Sequence, residues 1–188
     1  GIPIEVLGEA MQAVMQRDGM HPLFELEKGL LSEADFNNVM QAELEARLDH
    51  EIEFHSFPDH YFEHLHPNQP FIDFLFEYKH GGGRLALLTN NVKEWEPRWR
   101  TMLPIDELFE TVVDSGFVGT RKPEARIYEI MYERIVTLAG LGDVSPTECV
   151  LVDDVEINCT AAVDFGFKAV KFDDTAQTIT DVRRLLGR

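Results

Sequence analysis

The sequence predicts an α/β protein in which a doubly wound parallel sheet follows a small helical subdomain. Three observations carry that expectation. From residue 70 onward, short apolar runs alternate with helical patterns, the signature of parallel strands with helices over both faces. Residues 1–68 show helical spacing and no strand pattern. The stretch Cys149–Phe172, C-V-L-V-D-D-V-E-I-N-C-T-A-A-V-D-F-G-F-K-A-V-K-F, reads as one complete strand–helix–strand unit.

The elements follow in order. Ile4–Arg17 sets Leu7, Ala10, Met11, Val14 and Met15 on one helical face, a pattern that core packing explains. Ser32-x-x-Asp35 opens a second helix in the manner of a capping box, with Phe36, Val39, Met40, Leu44 and Leu48 at helical spacing. Asp49–Asn68 is aromatic, acidic and rich in histidine, and Pro58 and Pro67 break it. We read 1–68 as a helical subdomain plus its connection, and 69–188 as the α/β core. Phe71–Tyr78 is apolar nearly all round, as suits a helix buried on a sheet, and Gly81-Gly82-Gly83 closes it. Leu85–Leu88, Thr111–Asp114, Cys149–Val152 and Lys168–Phe172 read as strands. Between them lie a helix carrying Ile127, Met131, Ile135 and Leu138 on one face and a helix over Glu156–Phe165 stopped by Gly166. A final helix spans about Ala176–Leu186.

Size and charge narrow the function. The chain has 188 residues, 44% of them hydrophobic, enough to bury a sizeable core. Its 34 acidic and 17 basic residues give a formal charge of -17, which disfavours nucleic acid or an anionic membrane as a partner. No apolar run approaches the roughly 18 residues needed to span a bilayer. Cys149 and Cys159 suit neither a disulfide framework nor a zinc site, and we expect reduced, buried thiols in a cytoplasmic protein. His60 and His64 stand four residues apart within the group His50, His55, His60, His64 and His66. They make a conceivable zinc pair without a third ligand, and a solvated or aromatic-packed group is the plainer reading.

Polar groups of complementary kinds sit at or just after three strand ends. Thr89 and Asn90 offer a hydroxyl and an amide, Lys122 a cation, and Asp153 and Asp154 adjacent carboxylates. In open α/β sheets ligands bind at the carboxyl ends of the strands. Two neighbouring carboxylates there repel unless a cation joins them, and Mg2+ takes such oxygen ligands. Each signal has a plainer meaning alone: Asp153 or Thr89-Asn90-Asn91 capping a helix, Lys122 solvated in a loop. Together they fit phosphoryl transfer. Lys93, Arg98 and Arg121 are further candidate cations on the substrate side.

These stretches resemble motifs of the haloacid dehalogenase-like (HAD) hydrolase superfamily. L-A-L-L-T-N-N is similar to its second motif, S-G-F-V-G-T-R-K-P-E-A-R-I-Y to its third, and L-V-D-D-V-E-I-N to its fourth. The resemblance extends to the phosphatase domain at the N-terminus of soluble epoxide hydrolases. It implies a Rossmannoid core with a helical cap and a Mg2+-dependent phosphatase acting on a small phosphorylated substrate. Thr89 and Asn90 would bind phosphate, Lys122 would stabilise nucleophile and phosphoryl group, Asp154 would ligate Mg2+, and Asp153 would support it. The cap, residues 1–68, would gate the site. The family's first motif, a strand ending in D-x-D whose first Asp becomes aspartyl-phosphate, does not precede the cap in this sequence. We expect it upstream of Gly1, since that strand is central and its loss opens a gap between the strands ending at Thr89 and Asp153. A haloacid dehalogenase is the rival within the family, and a non-catalytic binding or regulatory relative the rival outside it. Neither substrate identity nor oligomeric state follows from these residues.

Overall fold

A computed structural model describes residues 2–48, 50–54, 57–138 and 144–187. Five helices come first: α1 (Ile4–Asp18), α2 (Pro22–Glu27), α3 (Glu33–Leu48), α4 (Phe57–Glu63) and α5 (Gln69–His80). Then follow β1 (Ala86–Thr89), the short helices α6 (Glu96–Trp99) and α7 (Ile105–Leu108), β2 (Thr111–Asp114), α8 (Ser115–Val118) and α9 (Ala125–Thr137). The chain continues through β3 (Val150–Asp153), α10 (Glu156–Phe165), β4 (Lys168–Lys171) and α11 (Thr175–Leu186). Among the described residues no helix is long and apolar enough to cross a membrane.

Local chemistry sets the boundaries. The Ser32 hydroxyl accepts from Asp35 N–H at 3.1 Å, which starts α3 as the Ser-x-x-Asp spacing predicts. Pro58 stands in the first turn of α4, where its missing N–H costs nothing, so it begins that helix rather than breaking it. Asn68 caps α5 by accepting from Phe71 N–H. The short α2 was not foreseen: at six residues it offers too little periodicity to read. Leu138, expected on the helix face, lies just beyond the end of α9. Cys149 is half-buried and Cys159 buried, and both are free.

The strands pair in parallel, β1 with β2 from Ala86↔Thr111 to Thr89↔Asp114, and β3 with β4 from Val150↔Lys168 to Asp153↔Lys171. Side chains alternate across each pair. Leu88 and Val113 join Ile127, Tyr128, Met131, Ala162 and Phe167 under α9 and α10. Val170 packs on the opposite side with Phe74 of α5 and Val182 of α11. The opposite face of β1–β2 meets a third cluster, in which Ala10, Val14, Phe36, Met40 and Leu44 of the helical segment pack with Val92, Trp95, Trp99 and Ile105. The helical segment thus shares a core with one half of the α/β region.

The sheet is not continuous. It forms two separate two-stranded pairs, and among the described residues no strand lies between β1 and β3. An apolar slot of about 490 Å3 separates them, lined by β1, by Val150–Val152 of β3, and by Phe71, Phe74, Met131 and Phe167. Leu87, Val150, Leu151 and Val152 are left only half-buried. The gap falls where a missing first-motif strand is expected to leave one, between the strands ending at Thr89 and Asp153. The inner edges of β1 and β3 face each other across a gap that neither can close.

Candidate active site

Parallel strands bring their carboxyl ends to one edge, and the predicted polar residues gather there. Lys122, only 8% exposed, follows α8 in a loop whose Lys122–Pro123 peptide bond is cis. Its ammonium donates to Asp153 Oδ2 at 2.5 Å and to the Leu88 carbonyl at 3.1 Å. It therefore bridges the carboxyl end of the slot, from β1 to β3.

Asp153 and Asp154 differ sharply. Asp153 is buried, and its Oδ1 accepts from Val155 N–H and from Asn158 Nδ2, both at 2.9 Å, while Oδ2 takes the lysine. Asn158 is buried in turn, and its carbonyl accepts from the Tyr128 hydroxyl at 2.9 Å. Asp154 is exposed. The repulsion between the two carboxylates is thus met on one side by Lys122, and the other carboxylate faces outward.

Thr89 is half-buried, and its hydroxyl has a 3.4 Å contact to the Asn90 carbonyl, at the weak end for a hydroxyl donor. Asn90 spends both ends of its amide on the peptide of Lys122: Oδ1 accepts from Lys122 N–H at 2.8 Å, and Nδ2 donates to Lys122 O at 3.0 Å. It was read as a phosphate binder; here it clamps the lysine loop. Ser115, fully buried, donates to Asn91 O and accepts from Asn91 N–H, tying the β1 turn to α8.

Asp114 closes β2 and caps α8 by accepting from Gly116 N–H at 2.9 Å. Its Oδ2 is buried without a partner. Burial pushes this carboxyl up to about 6, against the pull of the Gly116 hydrogen bond and with help from Glu96.

The helical segment walls the site from the other side. Arg121 Nε donates to Glu27 Oε2 at 2.6 Å, and its guanidinium lies 4.0 Å from the Phe24 ring, on which His21 stacks at 4.0 Å. Burial and then the Arg121 charge lower the His21 pKa. Burial raises that of Tyr61, and the charges of Glu27 and Asp154 add to it. The Tyr61 ring packs against Trp95 at 5.2 Å and Phe62 at 5.5 Å. Gly29 fixes the approach: at φ 65 its backbone lies so close to α8 that a Cβ would stand 2.2 Å from the Gly116 carbonyl oxygen.

The other candidates go elsewhere. Arg98 donates to Asp59 at 2.6 Å and covers Phe62, and Lys93 lies over Phe117. His64 Nδ1 sits 2.7 Å from the His60 carbonyl. Among the described residues no three His, Cys, Asp or Glu side chains group as a metal site, and His55 lies outside them. Sequence reasoning missed Asn158, Tyr128, Ser115, Glu27 and Tyr61. Asn158 alone had a signal, five residues after Asp153 on the next helix.

No family model matches the sequence. Among curated proteins, 107 residues are 29% identical to acyl-CoA dehydrogenase family member 10 of Mus musculus, covering 56% of this chain and 9% of that one. Over 130 residues the chain is 27% identical to the sesquiterpene phosphatase astK of Aspergillus oryzae, covering 65% and 59%. Over 124 residues it is 24% identical to bifunctional epoxide hydrolase 2 of Rattus norvegicus, covering 64% and 21%. The chain thus spans less than two thirds of each of these relatives. Among solved structures, a predicted HAD-like family hydrolase from Porphyromonas gingivalis matches with TM-score 0.66 at 22% identity, over 98% of this chain and 89% of that one. A HAD family enzyme from Bacteroides thetaiotaomicron, in complex with magnesium and inorganic phosphate, matches with TM-score 0.62 at 19% identity, over 93% and 88%. The strand order, the polar edge and these likenesses agree: the chain has the fold of the haloacid dehalogenase-like hydrolases.

Proposed function

We propose that the protein is a magnesium-dependent phosphatase of small phosphate monoesters. It works through an aspartyl-phosphate whose nucleophile lies on a strand filling the slot between β1 and β3. The observation that carries this reading is the Lys122 ammonium stretched across the carboxyl end of that slot, from Leu88 O to Asp153 Oδ2. A carboxylate at the end of a strand in the slot would meet that ammonium, with Thr89 on the β1 side and Asp154 on the β3 side. The walls are apolar and Lys122 ties the carboxyl ends of β1 and β3 together, so an apolar strand there gains hydrogen-bond partners on both sides.

The donor set suits magnesium. Asp154 is an exposed carboxylate with hard oxygen donors, beside a second carboxylate already neutralised by lysine. Asp154 would hold the ion and Asp153 would support it; bound there, the ion neutralises charge on the phosphoryl group. The chain's own residues do the rest. Lys122 binds phosphoryl oxygens, the Thr89 hydroxyl donates to one of them, and Asn90 keeps the lysine loop in register. Asn158 and the Val155 amide hold Asp153 in its orientation. The helical segment 1–68 covers the site and limits water. The acidic pair disfavours the dehalogenase alternative, because it would repel a carboxylate substrate. Two cysteines, both free, are in keeping with a reducing compartment such as the cytosol.

The test is phosphate release from phenyl phosphate by the protein as its gene encodes it. We expect release to require Mg2+, to stop on chelation, and to fall by about 100-fold or more in Asp154→Asn. Release that is indifferent to Mg2+ contradicts the metal dependence, and no release at all contradicts the proposal and favours a binding protein on this fold.

A further inference from the structure

We propose that Glu27 is a specificity residue: by neutralising Arg121 beside the exposed ring of Phe24, it selects phosphate monoesters whose leaving group is uncharged and apolar or aromatic. This rests on the phosphatase reading above and adds the class of substrate.

The geometry begins with the loop. Arg121 is the immediate neighbour of Lys122, so a free guanidinium here would offer a second anion-binding group next to the phosphoryl site. It is not free. Its Nε is held by Glu27 at 2.6 Å, and both side chains are largely shielded, at 15% and 17% exposure. Its planar face lies on the Phe24 ring at 4.0 Å, leaving the guanidinium engaged on edge and face. Phe24 still exposes 39% of its surface.

Other cations nearby are likewise engaged. Lys28 pairs with Glu25 at 2.7 Å, Arg98 with Asp59 at 2.6 Å, and Lys93 lies over Phe117. A leaving group with its own carboxylate or second phosphate would therefore bring a negative charge to Glu27 and Asp154 in a chain of net charge -17. An uncharged aromatic or aliphatic group would instead cover ring surface that is now wet.

The experiment compares phenyl phosphate, 2-naphthyl phosphate and 3-carboxyphenyl phosphate, whose ester bonds are chemically alike. Each is given to the protein as its gene encodes it, with saturating Mg2+. In the native protein we expect kcat/KM for phenyl phosphate to exceed that for 3-carboxyphenyl phosphate by about tenfold or more, with 2-naphthyl phosphate at least as good as phenyl. Glu27→Gln, which frees the guanidinium charge, should shrink the phenyl to 3-carboxyphenyl ratio by about tenfold. Phe24→Leu should raise KM for 2-naphthyl phosphate several-fold more than it lowers kcat. A native preference for the carboxylated ester, or a ratio unmoved by Glu27→Gln, overturns the proposal while leaving the phosphatase reading intact. No release from any of the three esters removes both.

Discussion

Removing the Lys122 ammonium leaves Asp153 charged, buried and short of its cation, and breaking one side of such a pair costs about 3–5 kcal/mol. Lys122→Met should therefore lower stability by about that much in chemical denaturation. The double change with Asp153→Asn should cost less than the sum of the two single changes, because the Asn no longer needs the cation. A purely additive pair contradicts the reading of Lys122 as the tie between the halves. Asp114 acts through pH. Its folded pKa of about 6 lies above the 3.8 of the free group, so the folded state holds the proton more tightly. Stability from this group is present below about pH 4 and declines as pH rises through 6, by about 3 kcal/mol. Asp114→Asn keeps an acceptor for Gly116 N–H and should remove that decline. Thermal melts of both proteins between pH 4 and 7 check it, and identical slopes contradict it. At this scale the strand-end residues Thr89, Asp153 and Asp154 could be read from sequence, since a short apolar run fixes where a strand stops, whereas Lys122 lies in the loop after α8 and was legible only through the motif it resembles. The division of labour between Asp153 and Asp154 could not, because it depends on Asn158 and Lys122 folding onto one of them. Nor could Glu27 and Arg121, 94 residues apart, be paired by any local period.

At the scale of elements, two glycines offer opposite expectations. Gly8 lies within α1 with open space where a Cβ would go, so Gly8→Ala should stabilise by about 0.5–1 kcal/mol. Gly29 combines φ 65 with a carbonyl 2.2 Å from the Cβ position, so Gly29→Ala forces α2 away from α8 and should cost more than about 2 kcal/mol. Urea titrations of the two variants decide this, and a neutral Gly29→Ala would contradict a fixed seam between the helical segment and the core. The long elements were visible in the sequence because their periods repeat over several turns: α1, α3, α9 and α10 fall within a residue or two of expectation. Thr111–Asp114 matches as read, and the other strands shift by a residue at their ends, where the ladder rather than composition decides. The seam at Gly29 had no such signal, since a close backbone approach leaves no trace in hydrophobic spacing.

At the scale of the molecule, the helical segment and the β1–β2 half share one hydrophobic cluster, while β3–β4 is packed between α10 and α11. The two halves are joined across the slot by Lys122 at its mouth and by α5 and α9 along its walls. The fold class was readable because alternating strands and helices admit few arrangements. The split of the sheet is not forced by that pairing: β1 and β3 each keep one partner and one open inner edge, and the apolar slot holds those edges apart. The phosphatase reading requires that a strand complete this sheet and bring a carboxylate to Lys122. Its most direct test is a crystal structure of the protein as its gene encodes it, grown with magnesium and inorganic phosphate. We predict a strand between β1 and β3, parallel to both, ending in a carboxylate near Lys122, with phosphate on Thr89 and Lys122 and magnesium on Asp154. A sheet closed by direct pairing of β1 with β3, or phosphate and magnesium bound away from these residues, would contradict it.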